Sequence, residues 1–136
     1  MQSRFQRFLG AWELDPSTLD YQHGRPGRRA TYVIDVDGDG LRFTLDADDP
    51  DGKPMHHVYG GRLDGADVPI ANTDFALALS MPDEHTIESV LKKNDRIVDR
   101  WTRTVQPDGQ SLLIAQHGKK PDGQPFRNIG TYRRIR

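Results

Sequence analysis

The 136 residues carry 19 basic and 20 acidic side chains, interspersed to a formal charge of −1, which leaves no electrostatic basis for binding nucleic acid or an anionic membrane. The length fits one domain spanning residues 1–136 with its own core, and the absence of cysteine excludes disulfides and thiolate chemistry. A hydrophobic fraction of only 35% suits a single-layered or partly hollow interior rather than a thick apolar core.

The first dozen residues read as a short helical turn, with Phe5, Phe8 and Leu9 on one side and Gln2, Arg4 and Arg7 elsewhere. Arg4 and Arg7 also break the only stretch that could resemble a signal peptide or membrane helix, so the expected location is the cytoplasm. From there the chain is punctuated by turn signals: DGDG at 37–40, PDGK at 50–53, DGAD at 64–67, NDR at 94–96, and PDGQ at both 107–110 and 121–124. In such turns Pro presets φ, and Gly or Asn accepts the positive φ of the corner. The segments between them alternate as strands do. Tyr32, Ile34 and Val36 share a face, as do Leu41, Phe43 and Leu45; His57, Tyr59 and Leu63; and Phe75, Leu77, Leu79 and Met81. Further on, Ile87, Ser89 and Leu91 form one set, and Ile97, Trp101 and Val105 oppose Val98, Thr102 and Thr104. Alternation is less clean there, as expected where an inner face lines a cavity and carries polar groups. Gly60 and Gly61 mark a bulge or sharp bend. The expected fold is therefore all-β, an antiparallel up-and-down barrel of about eight to ten strands with a short N-terminal helical turn. A β-sandwich is the competing architecture. Closure removes the two edges that an open sheet of this size exposes.

GAWEL, Gly10 to Leu14, resembles the Gly-x-Trp signature that begins the first barrel strand of lipocalins and other calycins, and TYRRIR at the end resembles their closing strand. Over nearly its whole length the chain is similar to a group of small bacterial lipocalin-like proteins, through Gly10, Trp12, Leu14 and Pro16, DGKP at 51–54, YGGRLDGADVP at 59–69, TRTVQPDG at 102–109, and Tyr132 with Arg134. The resemblance implies a barrel whose floor is sealed by Trp12 under an arginine, Arg134 before Arg133 by alternation. The resemblance bears on the fold and says little of a ligand. A closed barrel needs one end plugged, and an indole stacked by a guanidinium does this.

Asp35 to Asp46 matches the spacing of a calcium-binding EF-hand loop, but the flanking segments alternate as strands and Arg42 stands where an aliphatic residue is expected, so a hairpin turn is the better reading. His56 and His57 point to opposite faces of a strand. His57 is the inward one, and with His117 it makes at most two metal ligands, so no metal and no cofactor is expected. No Gly-x-Ser-x-Gly elbow or phosphate loop occurs. The expected ligand-binding residues are Tyr32, Phe43, His57, Tyr59, Leu77, Trp101 and Tyr132, with Arg103 or His117 as the orienting polar contact; Arg103 reads equally well as outward. The expected function is a carrier for a small hydrophobic molecule. The alternative is a cofactor-independent isomerase or cyclase using His57, Tyr59, Arg103 and His117. A third reading has a solid, packed interior. Oligomeric state is open between monomer and homodimer.

Overall fold

The computed structural model describes residues 5–136, so Gln2 and Arg4 of the expected helical turn lie outside the described residues. A 3-10 turn, Gln6–Phe8, leads into ten strands: β1 Gly10–Tyr21, β2 Ala30–Asp37, β3 Gly40–Asp48, β4 Pro54–Gly61, β5 Asp67–Pro69, β6 Phe75–Asp83, β7 Thr86–Lys93, β8 Arg96–Val105, β9 Ser111–Lys119 and β10 Pro125–Arg134. All pairings are antiparallel, in the order β4-β3-β2-β1-β10-β9-β8-β7-β6-β5. This is one sheet rather than two stacked ones. Pairing of the first strand with the last (Trp12 opposite Arg134, Leu14 opposite Tyr132) curls it into a nearly closed barrel.

Closure is not complete. β4 and β5 are the two ends of the strand order and leave a seam between them. Leu63, in the connection across that seam, is buried in the core, and the Gly65 amide donates to the Leu79 carbonyl at 2.8 Å, which fills the seam's lower part. The edge strand β5 is only three residues long, exposed, and carries Asp67 and Pro69, features that discourage pairing with another chain.

Each turn signal falls between strands. Asp35–Asp46 forms the β2–β3 hairpin, with Asp37 opposite Gly40. Gly60 is required by close approach, because a Cβ there would run into the Leu41 carbonyl. At the bottom of the barrel, Phe8, Trp12, Ile34, Leu41, Phe43, Ile87 and Leu112 are fully buried and form a packed layer. Two irregularities change which side chains face in. Between Asp15 and Asp20 the register of β1 against β10 slips, so several residues of β1 oppose a shorter step on β10. In β8 a bulge at Val98 leaves Ile97 opposite Lys92 and 56% exposed, which corrects its grouping with Trp101 and Val105. Val36, at the end of β2, is likewise exposed.

Candidate functional site

Above the packed layer the barrel holds a cavity of about 620 Å³. Strand alternation builds it: Tyr32, Leu45, Tyr59, Leu77, Leu91, Trp101 and Ile114 project inward from successive strands, and the slip in β1 brings Leu19 and Tyr21 in beside Leu14. His57 borders the cavity but is exposed, and its neighbours Met55 and Val58 border it too. The cavity thus opens along β4, toward the seam, with Ile70 across from it and Gly27 and Arg29 of the β1–β2 connection at the rim.

One ionic group lies deep in this space. Arg103 of β8 is 3% exposed. Its Nε donates to the Tyr32 hydroxyl at 3.0 Å, Nη1 to Ser89 Oγ at 2.6 Å, and Nη2 to the Tyr59 hydroxyl at 2.7 Å. The guanidinium carbon sits 4.8 Å from the ring centroid of Phe43, which stacks on Tyr59 at 5.2 Å. Such a cradle orients the cation through hydroxyls and π faces without neutralising it. No carboxylate pairs with Arg103 among the described residues. Each tyrosine hydroxyl that accepts from Arg103 keeps its own proton to donate. Tyr132 adds a third phenol. Burial pushes its pKa above the ordinary tyrosine value, nearby Tyr21 and Tyr59 add to the shift and Arg103 opposes it, so it stays a neutral donor.

Of the residues expected from sequence, Tyr32, His57, Tyr59, Leu77, Trp101, Arg103 and Tyr132 border one cavity, and Arg103 points inward. Phe43 does not line it, because it lies fully buried below the cavity and supports Arg103 and Tyr59 from beneath. His117 is a correction. On β9 the inward side chains are Leu112, Ile114 and Gln116, so His117 projects outward, is exposed, and shares no site with His57. His56 also faces outward, against Asp46. Sequence reasoning missed Ser89 as a partner of Arg103 and missed the amides Gln116 and Asn128. Ser89 groups on one face with Ile87 and Leu91, but nothing in the sequence joins it to Arg103.

The barrel floor is distinct from this cavity. Trp12 is fully buried and donates Nε1 to the Phe8 carbonyl at 3.0 Å. The Arg134 guanidinium covers its ring at 4.1 Å and donates to the carbonyls of Gly109, Leu9 and Arg7 at 3.0, 2.6 and 2.7 Å. Arg133 faces outward to Asp15.

No protein-family model matches the chain, and no curated protein matches it in sequence. Solved structures do. A mutant of the fluorescent protein UnaG aligns over 96% of this chain and 98% of its own with a TM-score of 0.65 and 16% identity. The zebrafish ileal bile acid-binding protein, complexed with cholic acid, aligns over 95% and 99% with a TM-score of 0.56 and 14% identity. At such identities the likeness is one of architecture. The chain shares the fold of these structures over nearly its whole length, an all-β, nearly closed antiparallel barrel.

Proposed function

We propose that this protein binds a small amphipathic acid in the barrel, with the apolar body against Leu45, Leu77, Leu91, Trp101 and Ile114 and the acidic group at Arg103. The observation that carries this reading is the buried guanidinium with no carboxylate partner among the described residues, at the inner end of an otherwise largely apolar cavity. A buried charge is costly unless paired. Here the tyrosine and serine hydroxyls satisfy its geometry and leave its charge for a guest to balance. A cavity of about 620 Å³ lies within the ordinary range for small-molecule sites. The zebrafish neighbour's cholic acid, an acid on an apolar frame, supports the ligand class and leaves the molecule itself unnamed.

Displacement of a cavity-bound fluorescent dye tests the reading. Dodecanoate displaces it, and dodecanol, the same length without charge, does so at least tenfold more weakly. Failure of both to compete, or equal competition, contradicts the proposal. Native mass spectrometry of protein purified from its own host then identifies the resident molecule.

A further inference from the structure

The cavity contains a second polar feature well away from Arg103, on the wall formed by β8, β9 and β10. Gln116 lines the cavity between its cross-strand neighbours Trp101 and Asn128. Its Oε1 accepts from Asn128 Nδ2 at 3.3 Å, and its side chain lies near the Asp99 carboxylate, where it opposes the rise that burial brings to that group's pKa. The contact with Asn128 orients the amide. Asn128 is committed elsewhere: its Oδ1 accepts from the backbone amides of Gln22 and His23 at 2.9 and 3.2 Å, and its Nδ2 donates to the His23 carbonyl at 2.9 Å.

Asp99 faces inward. It lies opposite Leu91, which lines the cavity, and cross-strand partners share a face. A Cβ on Gly118, two residues beyond Gln116 on the same side of β9, would come within 2.5 Å of Asp99 Oδ1. The carboxylate is partly buried, and no cation pairs with it among the described residues. A carboxylate offers about four acceptor sites, and a single amide leaves most of that capacity unfilled in a place where water is restricted.

We infer that Gln116, which lines the cavity, and the inward-facing Asp99 behind it form a second polar station, which takes a hydrogen-bond donor (a hydroxyl or an amine) carried by the ligand at the far end from its acidic group. The inference rests on the proposed binding at Arg103 and narrows it. Asp99 and Arg103 stand four residues apart on β8, about 13 Å at the usual strand rise of roughly 3.3 Å per residue. The ligand class is thus a molecule polar at both ends and apolar between, such as an ω-hydroxy acid, an ω-amino acid or a hydroxylated polycyclic acid.

Dye displacement by dodecanoate, ω-hydroxydodecanoate and ω-aminododecanoate separates the possibilities. The native protein binds ω-hydroxydodecanoate at least as tightly as dodecanoate, although a hydroxyl placed in a purely apolar pocket lowers affinity. Gln116→Leu weakens the hydroxy acid roughly tenfold, the scale of one hydrogen bond with a polar partner, and leaves dodecanoate unchanged. Asp99→Asn, which preserves shape, abolishes any advantage of the amino acid over the hydroxy acid. Tight dodecanoate binding with tenfold weaker binding of both ω-substituted acids overturns this inference and leaves the Arg103 reading standing. Displacement by none of the three overturns both. A Gln116→Leu protein with an unchanged melting temperature that loses all three probes equally also contradicts the second station.

Discussion

Arg103 donates to the hydroxyls of Tyr32 and Tyr59 at 3.0 and 2.7 Å, so two phenols on separate strands hold one cation below an apolar cavity. This arrangement serves binding more than stability, because burying a guanidinium without a carboxylate is costly. Arg103→Met, which keeps the length and removes the charge, is expected to leave the melting temperature of the empty protein unchanged or raised, while the preference for dodecanoate over dodecanol disappears. Thermal unfolding and dye displacement check the two halves. A loss of several kcal/mol would assign Arg103 to the fold instead.

The floor behaves in the opposite way. Trp12 is fully buried and capped by Arg134, so Trp12→Ala should cost about 3–5 kcal/mol, as expected for removal of a large buried side chain. Chemical denaturation measures this, and an unchanged midpoint would contradict the role of the indole as a plug.

Alkaline titration reports on the cavity wall. Burial raises the pKa of Tyr132 and of Tyr21 above the ordinary value near 10. In the unfolded chain both phenols ionise near that value, whereas in the folded chain they hold their protons longer. Their contribution to stability is therefore fully present below about pH 10 and is lost as pH rises above it. Tyrosine absorbance followed against pH should show late-ionising phenols in the native protein, and Tyr132→Phe should remove one of them.

Gly60→Ala tests the close approach of β4 to β3. The added Cβ meets the Leu41 carbonyl and the Arg42 Cα, both backbone atoms that cannot rotate away. A destabilisation of roughly 1–3 kcal/mol is expected, read as a lowered melting temperature with dye affinity reduced less than by a substitution in the cavity.

Much of the barrel is legible in the sequence because β2, β3 and β4 obey a strict period of two. Tyr32 and Ile34, Phe43 and Leu45, and His57 and Tyr59 occupy inward positions that alternation alone assigns. The second half resists for physical reasons. β9 turns the apolar Leu113 and Ala115 outward and the polar Gln116 inward, so hydrophobicity misplaces His117. Flanked by Thr102 and Thr104, Arg103 reads equally well inward or outward until its hydroxyl partners are brought from three other strands. Inserted residues in β1 and β8 change parity midway along a strand, and only Pro16 hints at the first of them.

The unpaired seam between β4 and β5 gives the molecule the mechanics of a split ring. A fully hydrogen-bonded hoop has its bore fixed by strand number and stagger, a constraint that the open β4–β5 edge leaves unmet on one side.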